Sequence, residues 1–410
     1  MALFLLNLYL LIYFIRPAEW IPALQSPWQL YVGILSLLLI VGTFIKKPDL
    51  FKKDKFGIYI FIFFLICLVS KIATGWFGGT WIFFQEFLPS IVVYYLTVIA
   101  CDSLKKCQSL LFFLCMLACF FSVHAIMQIT TGSGFGGLLP IYRSGDLLQA
   151  CWYGVFNDPN DLGLALVVIM PYIVYQALRY RILYILFFAL ILGGIYCTNS
   201  RGTLVSLLAG LGMFFIFKKK SMKGLIIAGF MAVALFLFGP SRVSEINTVD
   251  ASSYGRIDAW YAGLKMMQSS PLIGVGPGAF TDHHPITAHN SYVLAAAETG
   301  FLGLMFYNGA ILIPILLGAR VLFQEKENEN FELMASILSC AIAGAVSICF
   351  ISRTYIMVPY MMSGILYSVF HSVAPDRLTN EMQTRLSIKH LFLVSFLMLF
   401  LFYLAIVFFL

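Results

Sequence analysis

Thirteen apolar runs partition this chain, and reading them as membrane spans leaves few other folds open to it. They lie near residues 1–15, 29–45, 57–73, 81–100, 109–130, 161–178, 182–197, 203–217, 223–239, 291–318, 331–351, 354–372 and 391–409. A bilayer core needs about 17 to 25 apolar residues per helix. Several runs are short, so the expectation is 12 or 13 spans. With 61% hydrophobic and 11% charged residues, the chain is far more apolar than a soluble domain. It is predicted to be an all-α polytopic membrane protein, residues 1–410 forming a single integral membrane domain. The first run begins at Met1 without a basic n-region or a small-residue cleavage site, and is expected to stay as a helix.

Orientation follows from the cations, because cytoplasmic loops retain Lys and Arg. Alternating the spans from a cytoplasmic N-terminus puts 18 of the 26 Lys and Arg residues inside. The other eight are Arg16, Lys71, Arg143, Arg201, Arg242, Arg256, Lys265 and Arg353. Six of these eight are Arg, against five of the 18 inner ones. Arg holds phosphate in a planar, bidentate fork, so the outer set is more than a leaky orientation signal. The net charge of +7 is mostly that orientation signal and implies no nucleic-acid partner. Among nine cysteines there is no CxxC and no His/Cys cluster with zinc-ligand spacing, so no metal site is predicted.

Two outer segments are long, about 131–160 and about 240–290. The first ends in Asn157, Asp158, Pro159, Asn160 and Asp161. This is a turn signal in which Asn160 could cap the next helix, or the polar residues could line a sugar cavity. In the second, Ile257, Trp260, Tyr261, Leu264 and Met267 recur at helical spacing, predicting an amphipathic helix over 256–268 that lies along an interface. Ser253 is its expected N-cap and Pro271 its stop. The cluster Gly274 to Gly278 suits any sharp loop, so as a phosphate cradle it is a weak signal. Inner loops are too short for a nucleotide-binding domain, and no Walker or Rossmann motif appears, which excludes a pump driven directly by ATP.

His289 stands where this polar loop enters an apolar span. If residues 289–303 are helical, Gly300 and Gly303 share its stripe, about 20° and 40° away. Glycines there would let another helix approach. Glu298 would face elsewhere, as a buried structural partner. A histidine at a helix mouth is often only a solvated side chain, so periodicity alone leaves catalysis open. Arg201 opens a span, where it either snorkels to lipid phosphates or binds a ligand. Arg256 opens the amphipathic helix, where the positive helix end disfavours a cation and favours an anionic partner. Glu86 is read as a buried acid of open role. Nothing in the spacing singles out a pair of outer carboxylates of the kind glycoside hydrolysis uses.

Four stretches together resemble a known family. They are Phe156 to Gly163, Ser200-Arg201-Gly202, Arg256 with Trp260 followed by Pro271 and Gly274 to Gly278, and His289-Asn290 through Gly300 and Gly303. The chain resembles the bacterial O-antigen ligase and O-antigen polymerase group of membrane glycosyltransferases, over about residues 140–310. The resemblance implies a GT-C-like fold. It also implies a glycan donor on undecaprenyl diphosphate and an acceptor hydroxyl, on a glycolipid, glycan or protein, at the periplasmic face of the bacterial inner membrane. Arg201 and Arg256 stand at the family's arginine positions and would hold the diphosphate, with Arg143, Arg242 and Arg353 as reserves. His289 would be the general base, with Asn290 and Asn160 binding substrate. Direct attack would invert the anomeric centre. No cofactor or metal is required, because arginines take the charge role.

Ligase is favoured narrowly over polymerase, which shares the same chemistry. A flippase or transporter of lipid-linked sugars is the reading from another class. Against it, intramembrane charges are few and no pair of Gly/Pro-broken spans occupies corresponding halves. A purely structural partner leaves the outer arginines unexplained.

Overall fold

The computed structural model describes residues 1–143, 147–179, 181–219, 251–324, 330–385 and 387–409. Among these, nine helices are long and apolar enough to cross a membrane. They are Ala2–Trp20, Pro22–Lys46, Lys55–Ala73, Phe77–Ala100, Leu104–Thr131, Pro159–Ala177, Arg201–Lys218, Ser291–Gln324 and Ile388–Phe408. Shorter helices Ile182–Thr198, Phe331–Ser347 and Met357–Val373 take up the remaining predicted runs. The predicted run near 223–239 and Arg242 lie outside the described residues. Among the described residues the strands form one hairpin, Ile141–Arg143 paired antiparallel with Leu147–Gln149. The fold is therefore an all-α polytopic membrane protein.

The two ends of the bundle differ in chemistry. At one end, Lys55 donates to the Met382 carbonyl at 2.9 Å, Lys218 pairs with Glu332 at 3.1 Å, and Arg377 donates to the Gln324 carbonyl. The exposed Trp28, Trp76 and Trp81 stand near the starts of spans at the other end, where aromatic belts meet a membrane surface. Between the ends, apolar side chains fill the core, and polar ones join helices as they do in lipid. Ser363 donates to the Ala310 carbonyl at 2.7 Å and Asn308 to Ser395 at 2.9 Å.

The helix Ser291–Gln324 is broken at Gly300, whose φ of 68° and ψ of −169° are not helical. This corrects the expected stripe. His289 precedes the helix in a left-handed conformation, φ 46°, and Gly300 interrupts it, so the two do not share a helical face. The loop after Pro271 closes the break. Val275 N–H donates to the Ala297 carbonyl at 3.0 Å, Gly276 N–H to the Glu298 carbonyl at 2.9 Å, and Phe301 N–H to the Pro271 carbonyl at 2.8 Å. Such close docking of backbone on backbone demands glycine on both sides. A Cβ at Gly300 would strike the Leu272–Ile273 peptide, and one at Gly274 the Glu298–Thr299 peptide. Gly274, Val275 and Gly276 thus spend their N–H groups on carbonyls and Gly278 spends its own on the Glu298 carboxylate, which corrects the phosphate-cradle reading. Gly303 lies inside the helix and sits against the side chain of Thr299 on the same helix, so it leaves room for its own preceding turn rather than for a second helix.

Gly300→Ala is expected to lower the melting temperature in detergent, by an amount corresponding to about 2 to 4 kcal/mol from a strained left-handed residue plus a steric clash. Gly42→Ala, with open space around the added Cβ, is the control. Equal melting temperatures for the two variants would contradict this account of the break.

Candidate functional site

A clasp around Ser291 fixes the start of the broken helix. Ser291 N–H donates to the Ile348 carbonyl at 2.9 Å and its Oγ to the Ile351 carbonyl at 2.7 Å. The Arg353 N–H donates to Ser291 Oγ at 3.0 Å and Thr354 Oγ1 to the Ser291 carbonyl at 2.8 Å. Just upstream, Ser352 Oγ accepts from both Thr287 Oγ1 and the His289 N–H, each at 2.7 Å. The strained φ of His289 is therefore held by bonds from the loop between two other helices.

His289 and Arg353 line a polar cavity of about 180 Å3 together with Asp158, Asn160, Asp161 and Thr287. Arg353 donates through Nε and Nη2 to Asp161 Oδ2 at 2.9 and 2.8 Å, and through Nη2 to Asn157 at 2.8 Å. Burial alone would pull its pKa down, but the Asp161 carboxylate outweighs that and raises it, so Arg353 stays charged. Asn160 donates to Asp158 at 2.7 Å and accepts from Ser200 at 2.6 Å. Ser200 Oγ in turn caps Thr203 N–H at 3.1 Å. The starts of three helices, at Pro159, Arg201 and Ser291, are thus tied to this cavity. Helix N-termini carry positive partial charge and favour anions.

A second cavity, of about 320 Å3, lies across the Thr287–Ser352 bond, and both of those residues line each cavity. Its walls include Lys71, Glu86, Glu298 and Tyr355. Lys71, 6% exposed, donates to the Pro277 carbonyl at 2.7 Å and stands 4.9 Å over the Trp76 ring. Glu298, 2% exposed, accepts from Tyr355 Oη at 2.7 Å and from Phe280 N–H at 3.2 Å. It is buried as expected, but its side-chain partner is Tyr355 of a loop rather than another helix.

The other site expectations divide. Asn160 lines the cavity but does not cap; Asp158 caps, accepting from Asn160 N–H at 2.8 Å, because its side chain sits one residue ahead of Pro159. Asn290, 1% exposed, caps the broken helix through Oδ1, at 3.0 Å from Tyr292 N. Arg201 and Arg256 are half-buried, and neither lines the His289 cavity. Arg143 lies in the hairpin. Glu86 is exposed at the mouth of the second cavity rather than buried. Hydropathy reads depth along a span but not which flank is open. Lys71, Ser352 and Tyr355 escaped sequence reading: the first counted only as an outer cation, and the other two have ordinary neighbours in the chain.

The loop helix runs Ala251–Ser269, so Ser253 lies inside it and Arg256 in its second turn, where the unfavourable end charge has faded. Its buried face is Ala259, Gly263 and Met266, set against Val293, Phe280 and Ala297, and Trp260 Nε1 donates to the Ala288 carbonyl at 3.0 Å. Small residues made this contact close, a feature hydrophobic periodicity does not weigh. At its exposed edge Asp258 meets His284 Nε2 at 3.1 Å. Burial lowers the His284 pKa, but the Ile286 carbonyl and Asp258 outweigh it and raise the value. A raised folded value means that the stabilisation is full below the unfolded pKa of about 6.5 and is lost as pH rises through the folded one. Relative to His284→Gln, the wild type should melt higher at pH 5.5, with the gap closing by pH 9. A gap that widens with pH would be the opposite sign.

Residues 186–307 match the O-antigen ligase family model, and this stretch carries Arg201, Arg256, His289 and the Gly300 break. The matched stretch is similar to the O-antigen ligase family, whose members are membrane glycosyltransferases, and it lies within a multi-pass bundle of apolar helices. No protein of curated function matches the chain.

Proposed function

We propose that the protein transfers a glycan from undecaprenyl diphosphate to an acceptor hydroxyl on the periplasmic face, by direct inverting attack. The observation that carries this reading is His289 on the wall of a polar cavity on which the starts of the helices at Pro159 and Ser291 converge. His289 takes the proton from the acceptor hydroxyl as its oxygen attacks the anomeric carbon. The bond from that carbon to the phosphate oxygen breaks, and the lipid diphosphate leaves with the electron pair. Arg201 and Arg256 stabilise the leaving charge. Arg353, already paired with Asp161, orients the cavity wall, while Asn160 and Asn290 hold its polar shape. The aromatic end that bears the cavity is assigned to the periplasm, and the lysine-rich end with the N-terminus to the cytoplasm.

Purified protein in proteoliposomes, given a defined undecaprenyl diphosphate glycan and separate acceptors, tests this. Glycan on a lipid core or protein means ligase, and longer chains on the same lipid mean polymerase. His289→Ala and Arg256→Ala should each reduce transfer at least about 100-fold, in the range of a lost general base or charge stabiliser, with insertion and melting unchanged. Full transfer by His289→Ala would remove it as the base. Because guanidinium groups carry the charge role, activity should survive strong chelation. Loss in chelator with recovery on added Mg²⁺ or Mn²⁺ would refute this.

A further inference from the structure

We infer that the cavity holding Lys71 and Glu86 is a carbohydrate subsite for an uncharged pyranose, the acceptor sugar, placed against the His289 cavity across the Thr287–Ser352 bond. The word acceptor rests on the proposed glycosyl transfer; the carbohydrate chemistry does not. The exposed Trp76 and the half-buried Tyr355 line the cavity, with Phe83 and Phe280 buried behind them. Aromatic faces are electron-rich and apolar, a match for the C–H face of a pyranose. The exposed Glu86 carboxylate and the hydroxyls of Thr281, Thr287 and Ser352 stand among them as acceptors and donors for ring hydroxyls. A few convergent polar groups in a largely apolar hollow are how small-molecule sites fix orientation.

The same walls argue against an anion. The Lys71 ammonium is the only cation among the cavity's described lining residues, is nearly buried, and is engaged by the Pro277 carbonyl. Two carboxyl groups, Glu86 and Glu298, share the cavity with it. A phosphate or a uronate would meet more oxygen than charge. The neighbouring cavity also sets one guanidinium, Arg353, against two carboxyl groups, Asp158 and Asp161, but it differs in holding His289 and the starts of the helices at Pro159 and Ser291 in place of aromatic rings. Two adjoining hollows, one walled in part by aromatic side chains and one by His289, thus separate a sugar that brings a hydroxyl from the group that takes its proton. The partition is thin: Thr287 and Ser352 face both hollows, and Ser352 Oγ accepts the His289 N–H. Trp76, 58% exposed, stands on the cavity wall just ahead of the helix Phe77–Ala100, where an interfacial aromatic is expected.

The test is saturation-transfer difference NMR on full-length protein in nanodiscs, with methyl glucoside, methyl galactoside, methyl N-acetylglucosaminide and methyl glucuronide as probes. At least one neutral pyranoside should give a signal that falls about fivefold in Trp76→Ala, the loss of one aromatic contact, and falls in Glu86→Gln. It should persist in Trp76→Phe and in His289→Ala, while the glucuronide gives none. Absence of any neutral signal sensitive to Trp76→Ala, or equal binding of the glucuronide, overturns the subsite. With a working transfer assay, Trp76→Ala should raise the acceptor KM and leave the donor KM unchanged; a shift in the donor KM instead overturns the assignment to the acceptor. Failure of the glycosyl-transfer reading shows separately, as full transfer by His289→Ala, and leaves the binding result to judge the subsite.

Discussion

An interrupted helix in a membrane has to find new partners for the backbone groups it frees, because lipid offers none. At Gly300 those partners come from the loop after Pro271, whose N–H groups reach the Ala297 and Glu298 carbonyls while its own carbonyl takes the Phe301 N–H. Ser70 Oγ adds a further bond to the Glu298 carbonyl at 2.9 Å. The rest of the site hangs on this junction. It seats the long loop against the bundle, and Trp260 at the far side of the loop helix is then within reach of Ala288, one residue before His289. Without the break, the carbonyls would be consumed within the helix and the loop would have only side chains to hold it.

Two clamps therefore act on one helical segment about nine residues long. The Ser291 clasp, drawn from the loop between Phe331–Ser347 and Met357–Val373, sets its start, and the Gly300 junction sets its end. Glu298 and Tyr355 link the clamps, since Tyr355 belongs to the same loop that clasps Ser291. A residue in a sparsely populated conformation persists only where its surroundings over-determine it. His289 is such a residue, and its surroundings are tied at both ends of the segment it precedes.

The spans were legible in the chain because hydropathy over some twenty residues is a strong and local signal, and each predicted run within the described residues is a helix. The polar motifs were legible as stretches: Asn157 to Asp161, Ser200 and His289 meet in space around one cavity. What the sequence hid was the backbone. Glycine in an apolar run reads equally as a packing surface or a break, and of Gly300 and Gly303, three residues apart, the first breaks the helix and the second stays inside it. Asn160 is the cap the sequence suggests, and Asp158 takes that place because Pro159 opens the helix. Arg353 had no motif, since its partner Asp161 lies 192 residues away in the chain. Lys71 and Trp76 come together with Pro277 only through the loop docking, which no local pattern announces.

Pairing Arg353 with Asp161 has a consequence for how the cavity would handle a diphosphate. Asp161 is 2% exposed, and a carboxylate so placed holds its guanidinium in one orientation at the cost of neutralising it. The donor already carries charge before reaction, so a site that bound it with every arginine at full strength would bind ground state and transition state alike and gain nothing in rate. It would also hold the released lipid diphosphate. On the proposed chemistry a self-neutralised Arg353 shapes the wall. The charge that grows on the leaving oxygen is then met by arginines outside the wall, Arg201 at a helix start and Arg256 on the docked loop helix. Because the junction at Gly300 fixes where that loop helix sits, a backbone break some way from the reacting atoms becomes the element that decides whether the second arginine arrives.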